Sequence, residues 1–370
     1  RFPKSNTMKK TALLAIVFFL YIQPALSQEL PSFSPASPQA TSLGNFGQVP
    51  VGMFTGTIQH SIPLFEIEQS NYKLPISLSY SSNGINIDKF ASSVGMEWNL
   101  NAGGVITRIM YDEADEYYRV SLPDYTFGSD QMNGFLSGVM NSNYDTQPDI
   151  FAFNINGYSG KFYLDVNMTP IQISPTALKI EKIVNIDSSD NTLDFKLTTP
   201  DGVVYWFGGI NATEFSHSRS DDLGAAGHSA PSERIDVAWY LSKIDLLNGE
   251  EILFNYINNN FNYNSGISQI VSASYSFASG SGSVFYPAQQ NEPIINKSYT
   301  SISNISNIIW SNGKLEFSYS HRNTGTGLLK KIDNIKLYTK NDNLISGYNL
   351  KYLSTESDNT YSNIGSETNS

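Results

Sequence analysis

The sequence predicts an all-β chain, on three observations. Aromatic residues make up 13% of it and charged residues only 15%, the balance of pleated, half-buried surfaces rather than of solvated helices. Runs that alternate apolar and polar recur along the chain, the period of two that a half-buried strand requires. Between them fall Asn156-Gly157, Asp201-Gly202, Asn248-Gly249 and Asn312-Gly313, dipeptides that take the positive φ angles of tight hairpin turns. The expected architecture is a set of antiparallel hairpins and meanders forming a sandwich, or the start of a spiralling β shell, after a cleaved signal helix.

The elements follow in order. The chain opens on Arg1, and Met8 reads as the start of translation. Lys9-Lys10 form a basic n-region, Ala12 to Ile22 an apolar h-region, and Ala25-Leu26-Ser27 a small-x-small cleavage site before Gln28. That is a secretory signal peptide, with cleavage expected between Ser27 and Gln28. The apolar run is shorter than the roughly 20 residues of a spanning helix, and Pro24 ends it, so no stable membrane insertion is expected once it is removed. The Pro/Ser-rich residues 28–43 read as an extended linker, and 44–370 as one β-rich region with a sub-boundary near 211–233.

Within that region Leu74, Ile76, Leu78 and Tyr80 share one face of a strand. Gly95, Trp98, Gly103 and Gly104 then turn the chain into a second strand ending at Arg108, so that Trp98 is expected to fill the core at a structural corner. Phe162, Leu164 and Val166, then Ile252, Phe254 and Tyr256, then Leu315, Phe317 and Tyr319 repeat the alternation. Tyr205, Trp206, Trp239, Tyr240 and Tyr256 are expected to stack in the core. Glu113 to Phe135 reads as irregular, Asn211 to Glu233 as a long surface loop, and short strands are expected near Ile270 to Phe277 and Ser283 to Tyr286.

Charge argues against nucleic acid as a partner. Cleavage after Ser27 takes four of the 23 basic residues and none of the 34 acidic ones, moving the net charge from −11 to −15. The remaining bases are scattered, whereas nucleic-acid binding needs them clustered. With no cysteine, stability must come from burial, which a chain of this length supplies.

Candidate chemistry is sparse. Asp112, Glu113, Asp115 and Glu116 could together offer oxygens to Ca²⁺, but lack the alternating spacing and glycine of a calcium loop and read as a solvated turn. His217 and His228, with Asp221 and Asp222 between them, have no metal-ligand spacing. His60 reads as a half-buried strand residue and His321 as exposed. Asp165, Asp194, Asp236, Glu251 and Glu316 alternate with apolar residues and are expected to face solvent, which serves a sheet surface as well as it would a glycosidase pair. No GxSxG elbow occurs. The expectation is a chain with no enzymatic activity, no cofactor and no metal.

Five segments, taken together, resemble the N-terminal region of RHS/YD-repeat proteins, secreted shell-forming proteins related to toxin-complex B subunits and to the virulence-plasmid B protein family. They are Gly47 to Ile67, Leu74 to Arg108, Pro148 to Asp165, Thr198 to Gly209 and Ala238 to Tyr256. Where such proteins usually carry glycine before the tryptophan, this chain has Glu97, which argues for an exposed side chain without a positive φ. Tyr111-Asp112 and Tyr144-Asp145 are isolated, so the naming repeats are missing and the chain reads as an N-terminal fragment. The resemblance implies a secreted or cell-surface location. It also implies a structural role in building or plugging a shell, whose partners are the C-terminal repeats and the toxin or effector cargo of the full-length chain. An alternative from another class is a cell-surface β-sandwich adhesin, or a module binding a surface glycan or protein through exposed aromatics and Asn-rich loops.

Overall fold

A computed structural model describes residues 58–82, 90–111, 114–117, 119–141, 143–184, 193–222, 234–269, 271–272, 275–277, 283–285, 289–290, 293–322 and 329–353. The chain divides into Arg1–Val49 and Pro50–Ser370, and all described residues belong to the second unit. The expected signal peptide, with its Ser27 and Gln28 cleavage positions, and the expected linker lie outside the described residues.

Strands dominate, as composition predicts. They are β1 (Gln59–Gln69), β2 (Tyr72–Ser81), β3 (Trp98–Asn101), β4 (Gly104–Ile109), β5 (Ile150–Ile155), β6 (Tyr158–Leu164), β7 (Pro170–Gln172), β8 (Lys179–Val184), β9 (Leu193–Thr198) and β10 (Val204–Phe207). After them come β11 (Thr213–Asp222), β12 (Ile235–Asp245), β13 (Glu251–Ser268), β14 (Val271–Ser272), β15 (Tyr275–Phe277), β16 (Ser283–Phe285), β17 (Gln289–Gln290), β18 (Ile294–Trp310), β19 (Gly313–His321), β20 (Lys330–Thr339) and β21 (Leu344–Asn349). A helix, α1 (Asp130–Met140), sits between β4 and β5. Its N-cap is Ser129, whose hydroxyl accepts the N–H of Met132 at 3.2 Å, satisfying one of the helix's orphan donors. The expectation of irregular chain through Phe135 is corrected there.

Strands β1, β2 and β3 form a three-stranded antiparallel sheet. The main sheet has 14 strands and runs from β21 through β20, β19, β18, β11, β12, β4, β5 and β6 to β7, with β8, β9, β10 and β13 branching from it. The branching comes from long strands that change neighbours along their length. The first half of β12 pairs β11 and β4, and its second half pairs β10 and β13. Strand β18 pairs β13 along nearly its whole length, while its other side pairs β11 at one end and β19 at the other. Strands β12, β13, β18 and β11 thus pair in a closed cycle, a small barrel that leaves no free edge among the four.

The hairpin turns fall where the dipeptides place them. Asn156 and Gly157, at φ 34° and 88°, join β5 to β6. The turn at Asn248-Gly249 joins β12 to β13, and that at Asn312-Gly313 leads into β19. The alternation also holds: Phe162, Leu164, Ile252, Phe254, Tyr256, Leu315 and Phe317 are buried. Val166 lies beyond the end of β6 and is exposed. The core centres on Trp239, fully buried, around which Phe151, Phe162 and Phe195 lie at centroid distances of 5.1–5.6 Å from one another or from the indole.

Three expectations about local structure are overturned. Asn211 to Glu233 is not simply a loop, because β11 occupies Thr213–Asp222 and links β12 to β18. Asp236 is buried instead of solvated, because Tyr117 and Arg108 fold over that face of β12 to reach the carbonyls of Arg234 and Asp236. His60 is exposed, lying in the first half of β1, whose residues Gln59–Pro63 are all exposed.

Candidate functional site

The predicted corner is a tight backbone knot between the two sheets. Ser92 Oγ accepts the N–H of Val94 and donates to the carbonyls of Gly95 and Trp98, while Gly95 N donates to Ser92 O. Arg322, Ile332 and Tyr352 reach this knot from the far end of the main sheet, donating to the carbonyls of Ala91, Ser92 and Ser93. Glu97 has φ 61° and is half-buried, so the left-handed backbone is present without glycine, contrary to the expectation drawn from its side chain. Trp98 is half-buried, packing on Tyr80 at 5.2 Å; the tryptophan at the centre of the core is Trp239.

Gly103 and Gly104 are where close approach demands glycine. At Gly103, with φ 114°, a Cβ would meet Leu241 at 2.9 Å and Phe254 at 3.1 Å. At Gly104 it would meet Ile155 Cγ2 at 2.4 Å and the carbonyl of Asn154 at 2.7 Å. The strand they open then carries Arg108 into a buried ion-pair hub.

Arg108 has a fully buried side chain, as has Asp149. The guanidinium donates from Nε to Asp149 Oδ2 at 2.8 Å, from Nη2 to the same oxygen, and in a bidentate fork to Glu116 at 2.8 and 2.6 Å. It also lies 5.5 Å from the Phe151 ring centroid. Asp149 accepts the N–H groups of Tyr111 and Asp115, and Asp149 N donates back to Asp115 Oδ2 at 3.0 Å. The two carboxylates outweigh the penalty of burial and hold the guanidinium pKa above its usual value. Burial pushes the Asp115 carboxyl up to about 6, helped by the Asp149 charge and opposed by the Asp149 N–H and by Arg119 and Arg108. Asp115 Oδ1 is buried with no hydrogen-bond partner. Of the acids considered for Ca²⁺, Asp115 and Glu116 therefore face arginines; Asp112 and Glu113 lie outside the described residues.

A cleft of about 820 Å³ opens between the three-stranded sheet and the barrel strands. At its polar centre Glu214 Oε1 accepts the N–H of Ser303 at 3.0 Å and the hydroxyl of Tyr240 at 3.1 Å. Burial raises the Glu214 pKa against these two bonds, and the same cause raises Tyr240. Tyr256 and Tyr319 also line the cleft, with their hydroxyls turned to the carbonyls of Leu241 and Ile305. Sequence reasoning missed Glu214 by assigning it to a loop, and missed Asp149 entirely. A usable signal for Asp149 was an acid directly preceding the strand Ile150–Ile155, in which every second residue is buried.

No protein-family model matches the sequence, and no curated protein matches it. Among solved structures it is similar to the N-terminal domain of effector protein SpvB from Salmonella typhimurium strain LT2, at TM-score 0.36 and 11% identity over 80% of this chain and 94% of that one. It is similar to a chain of the TcdB2-TccC3-Cdc42 crystal structure at TM-score 0.36 and 13% identity, over 77% of this chain and 13% of that one. A chain of the Photorhabdus luminescens Tc holotoxin pore gives TM-score 0.30 and 10% identity, over 78% of this chain and 15% of that one. The chain thus spans only a small part of the two Tc chains. Likeness at these values carries no functional argument.

Proposed function

We propose that this chain is a non-enzymatic, exported N-terminal region of an RHS-type protein, building or closing one end of a β shell around a C-terminal segment of its own full-length chain. The observation that carries this reading is the edge of the main sheet. Strand β21 pairs only β20 among the described strands, and all six of its residues are exposed, with Leu344 and Ile345 58% and Tyr348 43% accessible. Such an edge offers an unpaired row of backbone donors and acceptors beside apolar side chains, which natural sheets cover or extend. Extension by further strands of the same chain covers it and lengthens the wall. The barrel and the Trp239 core supply a rigid base for that growth, and the five-segment resemblance supplies the family expectation.

The test is limited proteolysis of the full-length secreted product. A C-terminal segment that stays intact while the linker 28–43 is cut supports encapsulation. Rapid digestion of that segment in an otherwise folded protein overturns it.

A further inference from the structure

The cleft between the two sheets has a composition that the shell role does not use. Apart from tyrosines, its only ionisable lining residues among those described are Glu214 and Lys330, and Glu214 is already engaged by Tyr240 and Ser303. A cleft with so little free charge has no means of holding a polyanion or a polycation. What it offers instead is side-chain amides and hydroxyls beside rings. Asn99, Asn101 and Asn154 line it from exposed positions.

The rings are arranged as a platform. Phe90 is 45% exposed and meets Phe261 and Tyr263 edge-on at 5.0 Å each, while those two stack on one another at 5.4 Å and 23°. A large, exposed, rigidly backed ring at a cleft mouth is costly to leave in water and suits an apolar ligand face. A second observation comes from the cleft's deeper lining. Ser303 is only 8% exposed, and its hydroxyl has no hydrogen-bond partner. That hydroxyl is covered by its neighbours, so the polar groups a ligand can reach in the cleft are the exposed amides.

We propose that this cleft binds an uncharged, hydroxyl-rich ligand, a short neutral oligosaccharide. One sugar face would lie on Phe90, and its hydroxyls would bond the exposed amides of Asn99 and Asn154. The alternating C–H faces and equatorial hydroxyls of a pyranose match a site of rings and amides with little free charge. The volume lies within the roughly 300–1,000 Å³ of small-ligand sites. This binding role is separate from the shell role, because the cleft and the β21 edge share no residue.

The probes are cellopentaose, maltopentaose, tetra-N-acetylchitotetraose and, as an anionic control, tetragalacturonate, titrated into the full chain by calorimetry with saturation-transfer NMR on the ligand. At least one neutral probe is expected to bind with Kd on the order of 0.1–1 mM. Phe90→Ala should weaken that binding at least tenfold and Asn99→Ala several-fold. Asn99 is exposed and its change should leave melting unaltered, whereas Phe90→Ala gives up its contacts with Phe261 and Tyr263 and is titrated well below its own melting temperature, with far-ultraviolet circular dichroism confirming the fold. The proposal is overturned if no neutral probe binds at about 10 mM. It is equally overturned if only tetragalacturonate binds, or if Phe90→Ala binds the neutral probe as tightly as the unaltered chain.

Discussion

Replacing Arg108 by methionine keeps most of the side-chain stem and removes the guanidinium, with its hydrogen bonds and its contact to the Phe151 ring. In the native hub that group makes four charge-assisted contacts to two carboxylates and one, at 3.3 Å, to the carbonyl of Asp236. Glu116 retains 16% of its side-chain surface and can turn to water, whereas Asp149 has none and stays buried. Asp149 still holds the N–H groups of Tyr111 and Asp115, which offsets part of the loss. Removing one partner of such a pair costs about 3–5 kcal/mol, and the retained backbone donors place Arg108→Met near 3 kcal/mol. Arg108→Lys, which cannot fork to both carboxylates, should cost about half as much. The decisive variant is Arg108→Met with Asp149→Asn, because the amide removes the stranded charge and keeps an acceptor for Tyr111. Its cost should fall short of the sum of the single changes by at least about 1 kcal/mol. Urea unfolding, followed by tryptophan emission and far-ultraviolet circular dichroism, reads these values where the two curves coincide, a requirement for a chain longer than the usual two-state range. Additive costs, or a loss below about 1 kcal/mol for Arg108→Met, would refute the description of the hub as a buried, mutually dependent set of charges.

The raised carboxyl of Asp115 gives a second expectation. A folded pKa of about 6 against an ordinary 3.8 means that the folded state binds the proton more tightly. This group's penalty is then fully present above pH 6 and relieved as pH falls toward 4. Worked through the linkage relation, the difference amounts to about 3 kcal/mol. Melting temperature should therefore fall less steeply on acidification from pH 7 to 5 in the native chain than in Asp115→Asn, and an identical pH profile would reject it. Gly104→Ala places a methyl group 2.4 Å from Ile155 Cγ2 and 2.7 Å from a carbonyl, and should lower stability by about 1–3 kcal/mol; unchanged unfolding would show that β4 and β5 are not in the close register described. Trp239→Ala should cost about 3–5 kcal/mol and Trp98→Ala clearly less, because only the former is fully buried. Equal losses would return Trp98 to the core.

The parts of the fold legible in the sequence are those in which a local rule and the tertiary environment agree. Asn156-Gly157 and Asn248-Gly249 demand tight turns whatever surrounds them, and the strands they join pair as expected. Strand β11 was hidden because Ser216, His217, Ser218, Arg219 and Ser220 show no apolar alternation. Two neighbours hydrogen-bond it, so its pairing makes it a strand without help from its own composition. Asp236 was misplaced for a related reason. Alternation assigns a face of β12, but the packing of Arg108 and Tyr117 over that face decides whether it is wet. The same holds for the hub and the cleft. Arg108 was legible as the end of a strand, while its partners Asp149 and Glu116 come from segments 41 and 8 residues away. Glu214 and Ser303 meet because β11 and β18 are neighbours in the barrel, and Phe90 reaches the cleft by packing on Phe261 and Tyr263 of β13.

The central claim is that the chain's main sheet grows by strand addition at β21. Amide hydrogen exchange on the full-length product, resolved at single residues over Leu344–Asn349, tests it most directly. A strand paired on one side protects alternate amides, and a strand paired on both sides protects all of them. The account predicts slow exchange at every amide of β21. Protection at alternate positions only, with the remaining amides exchanging at the rate of free chain, would show that nothing adds to this edge and would contradict the claim.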